Sequence, residues 1–313
     1  MLFEILGDVP EKISHVLWDV DGVRTSKDEV PLRVTDWTIK LSQQGVRQSF
    51  ITGRDAQWLV DMEIKPLKKA GLTEMPNSLW MPELGLVNID FESERFEINS
   101  EFQGHPLLRP EIRYALLCLS HNQYTTWLWS HGQDVPEDYY LAKDANGVML
   151  LISRTTINMP LRNYIWSEYK LVCGTYEILR DENGDSLEAD PANDAKIVEK
   201  YIDSFGLAKD INILTVSTAV SLWPKGVDKT WSATTAIQAS KIPLIPLEET
   251  IAFGDSVSDF PMSLNGKIAF AFVGLEEQWD LFEKSGIKAS VVFKAKSGHK
   301  GPEVVLEILE YVL

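Results

Sequence analysis

Apolar and polar positions alternate along the N-terminal part of the chain in a pattern that predicts strands and helices in turn. The run Ile13–Val20 contains the apolar residues Val16, Leu17 and Trp18 followed by Asp19, as expected of a buried parallel strand that delivers a polar residue to its carboxyl end. Val34–Gln44 has apolar residues at helical spacing, and Val46–Ile51 is typical of a second strand. Asp55 can cap the helix that follows.

The C-terminal third repeats this alternation. Predicted strands lie at Thr250–Phe253, Ile268–Val273 and Val291–Phe293, and predicted helices at Ser258–Leu264, Glu276–Ser285 and Pro302–Val312. Strands that alternate with helices favour an α/β fold with a doubly wound, parallel, Rossmann-like sheet, in which ligands bind beyond the carboxyl ends of the strands. Both ends of the chain therefore contribute to one predicted core, residues 1–85 and 224–313.

The middle of the chain, residues 86–223, lacks the regular alternation of strands and helices and is predicted to form an inserted α+β domain. Strand-like pieces at Arg95–Ile98 and Val148–Ile152 are mixed with helical stretches at Glu111–Asn122 and Asp194–Phe205. Turn signals such as Asn146-Gly147 separate them.

Composition narrows the class of protein. The 313 residues fit two domains, and 44% apolar with 24% charged residues is ordinary for a globular chain. The formal net charge of −16 disfavours nucleic acid and anionic membranes as partners, because both attract clustered Lys and Arg. The two cysteines, the lack of a signal-peptide pattern and the lack of an apolar run of ~20 residues favour a cytoplasmic protein, monomeric or homodimeric, that binds small molecules.

The first motif that can carry chemistry is Asp19-Val20-Asp21-Gly22-Val23, directly after the first predicted strand. Two carboxylates two residues apart can act on one centre, and Gly22 permits the tight turn that presents them. An acidic, solvated turn is the structural alternative, since Asp and Gly are common in loops.

Thr52-Gly53-Arg54 ends the second predicted strand. A hydroxyl and free backbone N–H groups at the start of a helix can hold a phosphoryl oxygen. An ordinary strand-to-helix turn accounts for the same residues.

Two lysines, Lys225 and Lys229, stand before a predicted helix at Trp231–Ser240. Either ammonium can neutralise phosphate charge, and a surface lysine is the simpler alternative. Lys229 is favoured because it stands at the start of the helix.

Gly254-Asp255-Ser256-Val257-Ser258-Asp259 again follows an apolar strand. Asp255 and Asp259, four residues apart across a turn, suit a hard cation with oxygen ligands. Alternatively, Asp259 is a helix N-cap with Pro261 just inside the helix.

In this order, the four motifs resemble those of the haloacid dehalogenase superfamily. The matching segments are DVDGV at 19–23, ITGR at 51–54, Lys229 in PKGVDKT, and GDSVSD at 254–259. The insert between the second and third motifs resembles the type-two cap domain of the Cof-like, sucrose-phosphatase and trehalose-phosphatase branches. Departures are Leu84, where that branch often has Asn, and Arg24, where an apolar residue is common.

The resemblance implies a Mg²⁺-dependent phosphatase acting through an aspartyl phosphate. It implies that Asp19 is the nucleophile and Asp21 the general acid and base. It further implies that the Asp19 carboxylate, the Asp21 backbone carbonyl and Asp255 hold Mg²⁺, with Asp259 as a supporting metal residue or an orienter of Lys229. Phosphate-binding residues implied in the same way are Gly22, Thr52, Gly53 and Lys229.

The substrate implied is a small phosphorylated metabolite, and a sugar phosphate is favoured within the family. Aromatic side chains in the insert suit a sugar ring, although core packing explains them equally: Tyr124, Trp127, Trp129, Tyr139, Tyr140, Tyr164, Trp166 and Tyr169. A phosphomutase of the phosphomannomutase type and a catalytically idle, ligand-binding relative are the alternative functions.

Overall fold

A computed structural model describes residues 1–26, 29–76, 78–110, 112–113, 139–143, 149–153, 170–177, 191–216, 219–239 and 245–313. The chain divides into two compact units. Unit 1 comprises Met1–Asn99 and Val227–Leu313, and unit 2 comprises Ser100–Gly226. The predicted helix over Glu111–Asn122, except at 112–113, and the turn at Asn146-Gly147 lie outside the described residues.

Unit 1 is built on one mixed sheet. Its strands, numbered along the whole chain, are β1 (Phe3–Leu6), β2 (His15–Asp19), β3 (Arg47–Ile51), β4 (Ser78–Met81), β5 (Val87–Ile89), β6 (Phe96–Ile98), β12 (Thr250–Gly254), β13 (Ala269–Phe272) and β14 (Val292–Ala295). The numbers in between belong to strands of unit 2. Among the described residues the order is β1-β14-β13-β12-β2-β3-β4-β5-β6. The six strands from β14 to β4 are parallel, and β1, β5 and β6 add antiparallel edges. The predicted α/β class with a parallel central sheet is confirmed.

The strand order reverses between β2 and β12. From β2 the chain winds outward through β3 and β4, and it later returns to β12 beside β2 and winds the other way to β14. All residues of β2, β3 and β12 are buried, which is typical of parallel strands covered on both faces. A crevice beyond the carboxyl ends at such a reversal is where open α/β sheets bind ligands.

The helices of unit 1 follow the predicted alternation, with local differences. They are α1 (Leu32–Gln43), α2 (Ala56–Leu59), a π-helix at Val60–Ile64, α3 (Lys65–Lys69), α5 (Lys229–Gln238), α6 (Glu276–Ser285) and α7 (Pro302–Val312). The number α4 belongs to a helix of unit 2. Asp55 caps α2 as predicted, since its carboxylate accepts from the Trp58 N–H at 2.8 Å. The segment predicted as a helix at Ser258–Leu264 is a 3-10 helix over Val257–Ser263 with Pro261 inside it, which removes one backbone donor.

Unit 2 contains two small antiparallel sheets and a helix in its described part. Strands β7 (Tyr139–Lys143) and β8 (Met149–Ser153) form a pair, and β9 (Gly174–Glu177), β10 (Ile211–Val216) and β11 (Ala219–Pro224) form a sheet of order β10-β11-β9. Helix α4 (Pro191–Ser204) buries Val198 and Ile202 in one apolar cluster with Leu222. Strands β5 and β6 lie within residues 86–223, which the sequence pattern assigns to the insert, but in the structure they extend the main sheet of unit 1, because β5 pairs with β4 and β6 with β5.

None of the described helices combines the length and the apolar character that crossing a membrane requires.

Candidate active site

The first motif leaves β2 in a tight turn. Asp19 is the last residue of β2 and is 5% exposed. The N–H groups of Arg24 and Thr25 both donate to the Val20 carbonyl, at 2.9 and 3.2 Å, and the Thr25 hydroxyl accepts from the Gly22 N–H at 3.2 Å. The turn therefore holds residues 19–25 as one loop at the carboxyl end of the sheet.

Gly22 brings the first motif against the fourth. Its φ of +71° lies in the left-handed region, which favours glycine. A Cβ at this position would lie 2.0 Å from Asp255 Oδ2 and 2.6 Å from its Cγ. Only glycine leaves room for the Asp255 carboxylate here, so the two acidic motifs, far apart in sequence, meet at one point.

Lys229 connects the nucleophile candidate to the fourth motif. It is the first residue of α5, whose N-cap Asp228 accepts from the Trp231 N–H at 2.8 Å. Its ammonium donates to Asp19 Oδ1 at 2.6 Å and also to Asp259 Oδ1. Lys225, the other candidate for this role, is solvent-exposed.

Asp259 has its oxygens occupied by protein donors. Its Oδ2 accepts from the N–H groups of Asp255 and Ser256, at 3.0 and 2.9 Å, and from the Ser256 hydroxyl at 2.9 Å. Ser256 is the N-cap of the 3-10 helix, and Asp259 is the third residue of that helix in a capping box. Its position therefore differs from the N-cap alternative, and its contacts suit a residue that orients Lys229 and the Asp255 loop.

The electrostatics of this cluster follow from burial and from the crowding of like charges. Burial raises the pKa of Asp19 well above 3.8; the charge of Asp259 raises it further, and Lys229 opposes the rise. Burial, followed by the charge of Asp259, raises the pKa of Asp255 to about 7. Burial disfavours the Lys229 cation, but the carboxylates of Asp19 and Asp259 outweigh it and raise the pKa of the ammonium.

The cluster fits a divalent metal ion. Asp19, Asp255 and Asp259 each offer a carboxylate oxygen, and these oxygens lie within 4.8 Å of one another. Two of the three carboxylates have raised pKa values, so one lysine leaves negative charge incompletely compensated. Carboxylate oxygens are the ligands that Mg²⁺ prefers. Asp19 and Asp255 are the stronger candidates, since the Asp259 oxygens already accept protein hydrogen bonds.

Asp21 lies on the open side of the same loop. Its side chain is 44% exposed and forms an ion pair with Arg54, whose Nη2 lies 2.8 Å and whose Nε lies 2.9 Å from Asp21 Oδ1. The Thr52 hydroxyl is 3.5 Å from Asp21 Oδ2, and it accepts from the Arg54 N–H at 3.0 Å. Gly53 lies half-buried between Thr52 and Arg54. The second motif therefore lies beside the first, as their adjacent strands require.

Sequence reasoning assigned no role to Arg54, nor to a left-handed segment that supports the second motif. Glu83 and Leu84 have φ of +49° and +59°, and their N–H groups donate to the carbonyls of Arg54 and Thr52 at 2.9 and 2.8 Å. The Leu84 carbonyl accepts from the Ser232 hydroxyl of α5 at 2.7 Å. Positive φ at a non-glycine residue leaves almost no signal in a single sequence.

Two further glycines allow loops to pack against the motifs. A Cβ at Gly274 would lie 1.7 Å from the Asp255 carbonyl oxygen, and a Cβ at Gly301 would lie 2.9 Å from the Gly22 carbonyl oxygen. The Gly301 N–H donates to the Val273 carbonyl at 2.7 Å. Both glycines are distant from the motifs in sequence, so only the fold reveals their role.

Comparison with known proteins rests on structure. Searches with protein-family models and against curated protein sequences each find no match. A haloacid dehalogenase-like hydrolase from Bacteroides thetaiotaomicron has a TM-score of 0.57 at 16% identity, over 96% of this chain and 100% of that chain. The sucrose-phosphatase of Synechocystis, solved with sucrose and phosphate, has a TM-score of 0.52 at 14% identity, over 96% and 98% of the two chains.

A phosphatase of the haloalkanoate dehalogenase superfamily from Bacteroides thetaiotaomicron is similar to the same degree, with a TM-score of 0.52 at 14% identity over 98% of both chains. These similarities extend over nearly the whole length of each chain. The chain has the fold of the haloacid dehalogenase-like hydrolases.

Proposed function

We propose that the chain is a Mg²⁺-dependent phosphomonoesterase that acts through an aspartyl phosphate on Asp19. The observation that carries the proposal is the convergence of Asp19, Lys229, Asp255 and Asp259 from three distant segments at the reversal of strand order. The shared fold of hydrolases and phosphatases supports it.

In the first step Asp19 attacks the phosphorus atom of the ester. A bond forms between a carboxylate oxygen and phosphorus, and the bond from phosphorus to the alcohol oxygen breaks. The leaving oxygen takes a proton from Asp21, which lies on the exposed side of the loop and takes up that proton from solvent as the anionic ester binds. Lys229 holds Asp19 by Oδ1, and we assign the attack to Oδ2.

In the second step water attacks the aspartyl phosphate. Asp21, now ionised, accepts a proton from this water, and phosphate leaves as the Asp19 carboxylate is regenerated. Arg54 holds Asp21 near this position through its ion pair. The Thr52 hydroxyl, the Gly53 N–H group and Lys229 are assigned to the phosphoryl oxygens. The Gly22 N–H, which the family resemblance assigns to phosphate, instead donates to the Thr25 hydroxyl within the loop.

Asp19 and Asp255 would hold a magnesium ion, whose charge would offset the repulsion between an anionic nucleophile and an anionic ester. Asp259 supports this arrangement through Lys229 and the Asp255 backbone.

We propose a small phosphorylated metabolite as the substrate. The sucrose-phosphatase that shares this fold was solved with sucrose and phosphate, which supports sugar phosphates as the first substrates to test. The aromatic side chains of the insert lie outside the described side chains and do not contribute to this argument.

The test is hydrolysis of para-nitrophenyl phosphate with Mg²⁺ and with a chelator. Asp19→Asn is expected to lower turnover by about 10⁴-fold or more, as removal of a nucleophile does in other enzymes, while the thermal unfolding curve keeps its shape. Asp36→Asn, the same change at an exposed carboxylate of α1, is the control and is expected to keep full activity.

Mass spectrometry of enzyme quenched in acid during turnover is expected to find one phosphoryl group on the wild-type protein and none on Asp19→Asn. Substantial turnover by Asp19→Asn, or full turnover in chelator, would overturn the proposal.

A further inference from the structure

Behind the loop 19–25 lies a fully buried ion pair that the proposed mechanism does not use. Arg24 is 0% exposed and the Glu63 side chain 1%. Arg24 Nε donates to Glu63 Oε1 and its Nη2 to Glu63 Oε2, both at 2.8 Å, which is the bidentate geometry of an Arg–carboxylate pair. Nη2 also donates to the Thr38 hydroxyl at 2.9 Å.

The guanidinium contacts the two strands that end in the first and second motifs. Its central carbon lies 5.0 Å from the centre of the Trp18 ring and 4.8 Å from that of Phe50. Trp18 immediately precedes Asp19 on β2, and Phe50 lies two residues before Thr52 at the end of β3. One side chain thus touches β2, β3, α1 and the π-helix that carries Glu63.

The backbone of Arg24 closes the same loop. Its N–H donates to the Val20 carbonyl, as does that of Thr25, and Thr25 in turn accepts from Gly22. The side chain therefore holds the loop from its buried side, whereas Asp21 and Gly22 lie on the opposite side of the loop.

The π-helix has a local cause. Pro66, just after it, has no N–H, so the regular helical bond from residue 66 to residue 62 is absent. The widened turn at Val60–Ile64 carries Glu63, and π-bulges within α-helices often occur at functional sites.

A buried ion pair is a poor device for stability. The free-energy cost of removing both ions from water offsets much of their mutual attraction. Proteins with apolar side chains of similar volume at such positions are often equally stable or more stable. The Arg24 Nη1 atom, moreover, has no hydrogen-bond partner among the residues that the structure describes, and an unsatisfied buried donor destabilises the folded state. What the pair supplies is directional restraint on the residues it joins.

We propose that Arg24 and Glu63 are positioning residues that hold the loop 19–25 in the geometry presenting Asp19 and Asp21. The pair restrains the loop and contributes little net stability. The catalytic part of this inference rests on the proposed function, whereas the restraint of the loop does not.

The test replaces both members by apolar residues of similar length, Arg24→Met with Glu63→Met. The unfolding temperature is expected to stay within about 5 °C of the wild type, because no unpaired charge remains. The kcat for para-nitrophenyl phosphate with Mg²⁺ is expected to fall by about 10-fold to 100-fold at nearly unchanged KM, since small displacements of reacting groups cost that much.

The readout that does not depend on activity is hydrogen exchange. The amides of Gly22, Arg24 and Thr25 are expected to exchange about 10-fold or more faster in the double variant, while those of β12 keep their protection. The control double variant, Asp61→Asn with Lys65→Gln, removes an exposed ion pair from the same helical segment and is expected to change neither kcat nor exchange.

Arg24→Lys is the second variant. It keeps the charge for Glu63 but loses the bidentate fork, so the same amides are expected to exchange faster in a folded protein. Unchanged exchange in the folded variants, or a kcat within twofold of the wild type in the double variant, overturns the proposal. If the wild type itself shows no turnover, the proposed function fails, and hydrogen exchange alone decides whether the pair restrains the loop.

Discussion

Replacing Gly22 by alanine tests the contact that joins the two acidic motifs. The new methyl group would lie 2.0 Å from Asp255 Oδ2, so the separation must grow by about 1.4 Å before it reaches an ordinary contact of about 3.4 Å. The atoms in the way belong to the end of a side chain, and we therefore expect the Asp255 carboxylate to turn aside while the fold persists. A residue proposed to bind Mg²⁺ is thereby displaced.

The magnitudes separate two effects. Alanine at φ +71° costs about 1–2 kcal/mol of backbone strain, which lowers the unfolding temperature by several degrees. Displacing a reacting or ligating group by about 1 Å costs about 100-fold in rate. We expect the activity at saturating substrate to require a much higher Mg²⁺ concentration in Gly22→Ala than in the wild type.

Gly286→Ala is the matched control. Gly286 has φ +70°, and a Cβ there meets no atom within 4 Å, so the backbone strain is the same and the clash is absent. We expect an equal loss of unfolding temperature and wild-type Mg²⁺ dependence. The reasoning is refuted if Gly22→Ala needs no more Mg²⁺ than Gly286→Ala in a titration of para-nitrophenyl phosphate hydrolysis.

Two further predictions concern charge in the cluster. Lys229→Met leaves Asp19 and Asp259 buried without their ammonium. We expect the free energy of unfolding, measured with urea, to fall by about 3 kcal/mol at pH 8 and by less at pH 5, where protonation of Asp19 relieves the repulsion. Equal losses at both pH values would count against this assignment. Because the folded-state pKa of Asp255 is raised to about 7, this carboxyl binds more protons in the folded protein than in the unfolded chain between pH 4 and pH 7. Its contribution to metal-free stability therefore declines as pH rises through that range, opposite in sign to that of His15, whose pKa burial lowers to about 3. Mg²⁺ binds the ionised carboxylates, so its addition is expected to raise the unfolding temperature more at pH 8 than at pH 5, and a shift independent of pH would contradict the proposed ligands.

Much of the core was predictable because its signals are local. The helices Glu276–Ser285 and Pro302–Val312 have the predicted bounds, since apolar periodicity and terminal residues act over a few positions. The π-helix at Val60–Ile64 and the 3-10 helix at Val257–Ser263 were missed, because the apolar spacing of these short helices is hard to distinguish from that of an α-helix. The sequence pattern did not reveal that the edge strand Phe96–Ile98 pairs with β5, because this pairing leaves no mark on the sequence of the strand itself.

The sequence by itself determined which residues stand at the carboxyl ends of strands: Asp19, Thr52 and Asp255 lie at or just after the ends of predicted strands, and parallel strands bring such ends to one edge. Only the tertiary structure decided which of these side chains touch. Lys229 contacts Asp19, 210 positions away in sequence, and Arg24 pairs with Glu63, 39 positions away. The close approach of Gly22 and Asp255 depends on the absence of a Cβ at Gly22. Periodicity and turn chemistry act between near neighbours, whereas these contacts depend on how the strands and helices pack together.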